Sequence, residues 1–268
     1  MSFVALLIHL KPVSTGLVSS WDEVWGKGET MLRELRAAVS VSSGTYQTIQ
    51  EGCAQPAPPL ISTLLLDEHH RLSLRITVLG ESGLPSVASL LDTLTVYPLL
   101  RMGNRRYMAE AADLSHSAWA GLSTWADFLA PPYGQTIKLH LGTPLVLLPD
   151  AGAAGEQSFH FPFPRPLFAE LARHWQELGG PPLPVGSRDL LPLLEDGGIV
   201  LADYRLRLSQ VLLDGRVQFG FRGWICYECR RSASAVRATL AALARFAFFA
   251  GVGAFTEFGM GATRIAIG

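Results

Sequence analysis

The chain has 268 residues, of which 49% are hydrophobic and 17% charged, enough apolar material for one large buried core or two small ones. It has no run of eighteen apolar residues and no basic region of a signal peptide at its start. These absences exclude a membrane-spanning class, and we expect a cytoplasmic protein with no membrane partner. Three cysteines are too few for a disulfide framework.

The charge is unevenly distributed along the chain. Residues 199–268 contain nine arginines and four acidic residues, a net charge of +5, so the first 198 residues carry −6 of the overall −1. Arginine forms bidentate contacts with phosphate. The charge distribution therefore predicts a polyanionic partner for the C-terminal part of the chain.

In chain order, the first half alternates strand-like and helical patterns. Helical spacing of apolar side chains runs from about Glu29 to Val39, after a capping box at Ser20–Glu23, and again from Pro85 to Leu94. The runs that predict strands are Phe3–Leu10, Leu60–Leu66, Arg71–Leu79, Tyr97–Met102 and Tyr107–Leu114. Counting the last two runs together, the order is β-α-β-β-α-β.

The second half repeats that order after a connector with a short helix at Ser123–Leu129. Its predicted elements are a strand at Thr136–Leu141, a helix at Pro166–Leu178, a hairpin of Ile199–Leu213 and Arg216–Arg230 around Asp214-Gly215, a helix from Ser232 or Ser234 to Phe249, and a strand at Ala262–Ile267. The sequence thus predicts an α+β protein of two tandem ferredoxin-like (RRM-like) domains, residues 1–125 and 126–268. Each sheet would leave one face free, where single-stranded RNA often docks in this topology.

A glycine-rich segment, Gly251–Gly261, has four glycines in eleven residues and follows the last predicted helix. A dinucleotide-binding fingerprint follows a strand and opens a helix, so this order argues against nucleotide binding. One glycine fits a helix C-cap. The cluster as a whole predicts a backbone that turns tightly or lies close to something large.

Other patterns that could carry chemistry are weak. Cys226 and Cys229 have the spacing of half a zinc site, but an offset of three on a strand points the side chains to opposite faces, and only Cys53 could add a third thiolate. We therefore predict no metal and no cofactor. Of the seven histidines, His9 and His140 fit structural positions in strands, and His116 precedes an aromatic-rich loop.

The C-terminal motif resembles a known family. Arg245-Phe-Ala-Phe-Phe-Ala-Gly-Val-Gly, followed by Thr256 and Gly259-Met-Gly261, is similar to the signature of the CRISPR-associated repeat-RNA (pre-crRNA) endoribonucleases of the RAMP superfamily. Weaker support comes from Trp119-Ala-Gly-Leu-Ser-Thr, from Gly142-Thr-Pro144, and from Pro164 and Pro166. The tandem ferredoxin-like layout is also that of the family.

The resemblance implies binding of the CRISPR repeat hairpin and metal-independent cleavage at its base. The ribose 2′-OH would attack in line, leaving a 2′,3′-cyclic phosphate and a 5′-OH, and the enzyme would retain its product. Many members have a catalytic histidine roughly where this chain has Gln50, which cannot exchange a proton near neutral pH. Under this hypothesis Tyr46 orients the reacting oxygen, while Arg33 and Arg36 stabilise the phosphorane. The residues expected to bind RNA are Gly251, Gly253, Gly259, Gly261, Lys27, Arg222, Arg230, Arg231, Arg237 and Arg245.

Two other functions remain open at this point. The chain could be a catalytically inactive repeat-RNA-binding subunit of a class 1 CRISPR complex, with other effector subunits as partners. It could also be a tandem ferredoxin-like protein that binds small molecules or proteins. No direct DNA contact is expected under any of the RNA-binding hypotheses.

Overall fold

The computed structural model describes residues 2–13, 60–66, 71–80, 88, 91–92, 94–102, 105–115, 117–147, 161–213, 216–230 and 233–268. Its contacts divide the chain into two compact units. The first comprises Met1–Leu122, Gln210–Gln218 and Glu257–Gly259, and the second comprises the remainder from Ser123 to Gly268. The boundary between residues 125 and 126 that the sequence predicts for the two domains stays a prediction.

The first unit is built on a six-stranded sheet. Its strands are β1 (Ser2–Pro12), β2 (Leu60–Leu66), β3 (Leu72–Leu79), β4 (Leu99–Met102), β5 (Arg105–Asp113) and β6 (Gly121–Thr124). The order is β2-β3-β1-β5-β4, with β6 paired to β1. Every residue of β3 is buried, including Ser73, Arg75 and Thr77, which alternate with apolar residues, so both faces of this strand are covered. Helical residues at 88, 91–92 and 94–96 precede β4.

The second unit has a four-stranded sheet with helices packed on one face. Its elements are α1 (Trp125–Leu129), β7 (Thr136–Leu145), α2 (Pro164–Glu177), α3 (Ser187–Glu195), β8 (Ile199–Leu213), β9 (Arg216–Cys229), α4 (Ser234–Ala250) and β10 (Thr263–Ile267). The strand order β10-β7-β9-β8 brings the first and third strands of the unit together at the centre. In the sheet of the first unit, the neighbouring strands β5-β1-β3-β2 are arranged in the same way, with the first and third strands between the last and the second. Both units therefore have the ferredoxin-like topology.

An aromatic cluster holds the helices of the second unit together. Trp125 of α1 lies 4.4 Å from Trp175 of α2 and 5.8 Å from Phe246 of α4, measured between ring centroids. Phe128 and Phe249 pack beside them, 5.7 Å apart. Trp175 is 1% exposed and donates its indole N–H to the Pro181 carbonyl, so its polar group is satisfied within the core.

The fold class predicted from the sequence is confirmed, and most described elements fall within a few residues of their predicted bounds. Two elements were missed. The helix α3 contains Pro192 and follows a glycine- and proline-rich stretch, which reads as loop. The strand β6 has four residues and depends on its pairing with β1. The predicted helix at 29–39 and the loops at 42–59 and 149–157 lie outside the described residues.

Within the described ranges, no helix is both long and apolar enough to cross a bilayer.

Candidate nucleic-acid interface

The predicted catalytic residues Tyr46, Gln50, Arg33 and Arg36 lie outside the described residues, as do Lys27, Arg231, His116 and Cys53. Their roles stay predictions. The described part of the chain contains the glycine-rich segment, the other predicted RNA-binding arginines and the whole second sheet.

The glycine-rich segment lies close to the protein's own backbone. A Cβ at Gly253 would stand 2.3 Å from the Val146 carbonyl oxygen, and one at Gly261 would stand 1.8 Å from the Val252 carbonyl oxygen. Both glycines have positive φ, 79° and 62°. These approaches exclude any side chain, so the large neighbour that the sequence predicts is here the end of β7 and the segment itself.

Hydrogen bonds fix the segment in this position. Val252 donates its amide to the Gly261 carbonyl at 2.9 Å, Gly261 donates to Pro144 at 2.9 Å, and Ala254 donates to Val146 at 2.8 Å. These three amides therefore donate inside the protein. Gly251, Gly253, Gly259 and Gly261 are all buried. Contact between these four glycines and RNA stays a prediction, and their burial does not support it.

Residues 257–259 of the glycine-rich segment belong to the first unit, where Gly259 contacts the polar side chain of Thr63. Thr63 donates its hydroxyl to the Gly259 carbonyl at 2.9 Å and lies opposite Arg75 in the β2–β3 register. Arg75 is 1% exposed and donates Nε–H to the Trp119 carbonyl at 2.8 Å. Burial lowers the pKa of Arg75 to about 9, so its guanidinium stays charged at neutral pH. Trp119 opens one of the motifs that support the family resemblance.

Arg245 makes hydrogen bonds within the second unit, and its contact with RNA stays a prediction. Its guanidinium donates to the carbonyls of Phe128 at 2.9 Å, of Ala130 at 2.6 Å and of Pro132 at 2.6 Å. The arginine thus joins α4 to the C-terminal end of α1 and the turn that follows. These bonds use three of the five N–H donors of the guanidinium.

The structure describes three more of the predicted RNA-binding arginines: Arg222 in the middle of β9, Arg230 directly after β9 and Arg237 in the first turn of α4. Arg230 is exposed and forms an ion pair with Glu228 at 3.0 Å. Arg222 and Arg237 are half-buried. The charge of Arg237 acts on the buried Cys229 thiol, whose pKa is nevertheless raised to about 11 because burial is the larger effect.

The edge strand β8 is widely exposed. Arg205 and Arg207 reach solvent, and so do the apolar side chains of Tyr204 and Leu208, which are 52% and 56% exposed. Arginine beside aromatic and aliphatic surface suits both phosphate and base contacts.

The face of the second sheet opposite its helices carries a cluster of cationic and aromatic side chains. Arg264 of β10 lies opposite His140 of β7, which in turn lies opposite Trp224 of β9. Lys138 shares this face, with its ammonium 3.8 Å from the centroid of the Trp224 ring. We call these four residues the open-face cluster.

Sequence reasoning missed the open-face cluster. Alternation along β7 does put Lys138 and His140 on one face, but His140 was interpreted as structural. The juxtaposition with Trp224 and Arg264 depends on the register of three strands that are far apart in the chain. No local pattern carries that information.

The predicted opposite orientation of the two cysteines agrees with their burial. Cys226 is half-buried and pairs in register with Lys138, whereas Cys229 is buried, and both are free thiols. In the part of the chain that the structure describes, no three His, Cys, Asp or Glu side chains come together as metal ligands.

The two units define the class of fold, a tandem ferredoxin-like protein. Residues 139–263 match the family model of the CRISPR-associated endoribonuclease Cas6. The resemblance noted at the C-terminal motif is therefore confirmed over these residues, and the predicted class of enzyme, a CRISPR endoribonuclease, is the class that this family model describes. The search of curated proteins gave no match.

Solved structures share the fold over nearly the whole chain. A Cas6 in a product complex matches with a TM-score of 0.71 and 22% identity, covering 99% of this chain and 100% of that chain. The Cas6 of Thermus thermophilus matches with a TM-score of 0.72 and 22% identity, covering 99% of both chains. A Cas6-related protein of Pyrococcus furiosus matches with a TM-score of 0.60 and 12% identity, covering 98% of both chains.

Proposed function

We propose that this protein is an endoribonuclease that binds the hairpin of a CRISPR repeat RNA and cleaves pre-crRNA in the cytoplasm. The match of residues 139–263 to the Cas6 family model is the observation that carries the proposal. The tandem fold shared with Cas6 product complexes supports it. Exposed arginines on the β8–β9 hairpin supply charge for the RNA stem.

The cleavage that we propose is metal-independent. The 2′-hydroxyl upstream of the scissile phosphate loses its proton and attacks phosphorus, and the bond to the 5′-oxygen breaks in line. The products are a 2′,3′-cyclic phosphate and a 5′-oxygen that takes up a proton. Tyr46 orients the reacting oxygens, while Arg33 and Arg36 stabilise the phosphorane charge.

Gln50 makes this a slow enzyme, since an amide cannot carry a proton near neutral pH. General acid–base catalysis is worth about 10²- to 10⁴-fold, and its loss leaves positioning and charge stabilisation in place. An enzyme that retains its product and acts once tolerates such a rate. The retained crRNA would then recruit other subunits of a class 1 effector.

The test uses synthetic RNAs of the repeats encoded in the source genome. We expect cleavage in excess EDTA, and its loss when the nucleotide upstream of the cut carries a 2′-deoxyribose. Arg33→Ala and Arg36→Ala should each lower the single-turnover rate about 10- to 1000-fold. Arg188→Ala changes an exposed arginine on α3 and is the matched control. Cleavage that requires added Mg²⁺ contradicts the mechanism.

The pH profile tests the role of Gln50. The single-turnover rate should show no histidine-like inflection between about pH 6 and 7. A clear inflection there would redirect the search to His116 or His9.

Gln50 also favours a second candidate, an inactive repeat-RNA-binding subunit. Tight binding of a repeat hairpin without cleavage under any metal condition would select it. Failure to bind any repeat hairpin at low salt would instead favour a protein that binds small molecules or other proteins.

A further inference from the structure

The open-face cluster lies on the two central strands and one outer strand of the second sheet. The opposite side is closed by helices, since Tyr227 of β9 is fully buried against Phe168 of α2, with ring centroids 5.4 Å apart. Leu139 and Ile225, which point the same way as Tyr227, are also fully buried. By contrast Lys138, His140 and Trp224 are half-buried and Arg264 is exposed, so a ligand can reach them.

We propose that the open-face cluster binds unpaired nucleotides of RNA, with Trp224 stacking on a base and Lys138 and Arg264 contacting phosphates. The inference rests on the proposed function for the source of that RNA. A hairpin that is cut out of a longer transcript is joined to further RNA at both ends, and these flanks are single-stranded where they do not pair.

Charge complementarity favours RNA as the occupant. The face carries Lys138 and Arg264, and its acidic side chain Glu228 is already paired with Arg230 at 3.0 Å. The face is therefore net positive. A positively charged surface with an aromatic side chain at its centre is the arrangement that binds single strands without sequence preference.

Single-stranded RNA fits better than a duplex because only unpaired bases can stack on a side chain. Trp224 and His140 lie side by side on the central strands. Burial, followed by the charges of Arg264 and Lys138, lowers the pKa of His140, so its ring is neutral at neutral pH. A neutral ring next to the indole extends the aromatic surface without adding charge.

Lys138 does not block the indole. A cation over an aromatic ring is favoured by about 2- to 30-fold, increasing with burial, whereas stacking a base is worth about 5- to 150-fold. The base therefore displaces the ammonium, which the flexible lysine stem can turn towards a neighbouring phosphate.

The experiment measures the Kd of two RNAs for the full chain by fluorescence anisotropy. One is an unstructured A/C oligonucleotide of about ten nucleotides, and the other is a repeat hairpin without flanks. Trp224→Ala should weaken oligonucleotide binding about 5- to 150-fold and leave hairpin binding and cleavage unchanged. Trp224→Phe, which keeps a ring, should restore most of the affinity, and Arg188→Ala is the matched control.

A second measurement does not depend on the tryptophan variants. Lys138→Gln and Arg264→Gln should each flatten the dependence of log K on log salt by about 0.7 for the oligonucleotide. Unchanged oligonucleotide affinity in Trp224→Ala, or an unchanged salt slope in both charge variants, overturns the proposal and leaves the face to a protein partner. If either of these results is found while the hairpin is still cleaved, only the binding of unpaired nucleotides at the open-face cluster is refuted. Oligonucleotide binding that depends on Trp224, without cleavage of any repeat, refutes the nuclease alone.

Discussion

At the scale of single residues, Arg245 illustrates how a charged side chain in a recognised motif can act within the fold. Its three carbonyl acceptors belong to Phe128 in the last turn of α1 and to Ala130 and Pro132 just after it. Each is an oxygen that a helix end or turn leaves without an intrahelical donor. A guanidinium supplies all three donors from one side chain, and its charge strengthens each bond.

Replacing Arg245 by methionine should therefore destabilise the protein. We expect a loss of about 2–4 kcal/mol in the free energy of unfolding, because hydrogen bonds to a charged group are lost and carbonyls are left unpaired. The melting temperature should fall by about 4–16 °C. Differential scanning calorimetry measures this, with Arg188→Met as the control expected to stay within about 0.5 kcal/mol. An unchanged melting temperature with weakened RNA binding would restore the predicted role in gripping RNA.

At the scale of elements, the glycine-rich segment connects α4 to β10 through a path that leaves no room for a side chain at Gly253 and Gly261. Its positive-φ positions alternate with amides that donate to β7 and to the segment itself. The segment thereby sets where β10 enters the sheet next to β7, and β10 carries Arg264 of the open-face cluster.

Two glycine substitutions separate close approach from backbone strain. Gly261→Ala and Gly179→Ala both add a Cβ at positive φ, 62° and 69°, but only Gly261 has an atom in the way. We expect Gly179→Ala to cost about 1–2 kcal/mol and Gly261→Ala more than about 4 kcal/mol or a loss of soluble protein. Chemical denaturation of both variants measures the difference. Equal losses in the free energy of unfolding would mean that the glycine-rich segment shifts to make room for the added Cβ at residue 261.

At the scale of the whole molecule, charge is separated along the chain, with +5 in residues 199–268 and −6 before them. A protein with this distribution can bind a polyanion although its net charge is −1. The basic part contains the β8–β9 hairpin, α4 and β10, which supply both the arginines of the proposed stem contact and Arg264.

Binding of a repeat hairpin should consequently depend steeply on salt. If about four to six phosphates are contacted, log K falls with log salt with a slope of about −4 to −5, and affinity drops roughly 100- to 1000-fold between about 50 and 200 mM. Filter binding across that range gives the slope. A slope near zero would contradict an RNA ligand held by phosphate contacts.

The elements could be predicted from the sequence where their signals are local. The strands β8 and β9 flank Asp214-Gly215, and the apolar run of β1 has the composition of a buried strand. The helix α3 escaped because Pro192 and the preceding glycines and prolines are local signals against a helix, and its burial of Leu190 and Leu194 outweighs them.

For the candidate site, the sequence identified the glycine-rich segment and a family that it resembles, but it did not identify Val146 as the neighbour of Gly253. The composition shows that Gly253 and Gly261 must lie close to something, but not whether that is RNA or Val146. Likewise the spacing of Lys138 and His140 places them on one face, but says nothing of Trp224.

The sequence by itself determined most of the strands and helices, their repeated β-α-β-β-α-β order along the chain, the charge separation and the motif that resembles a known family, because each depends on residues that are close in the chain. Only the tertiary structure decided which strands lie side by side and in which register. That register assembles the open-face cluster and closes Gly251–Gly261 onto β7, since both depend on contacts between residues more than eighty positions apart.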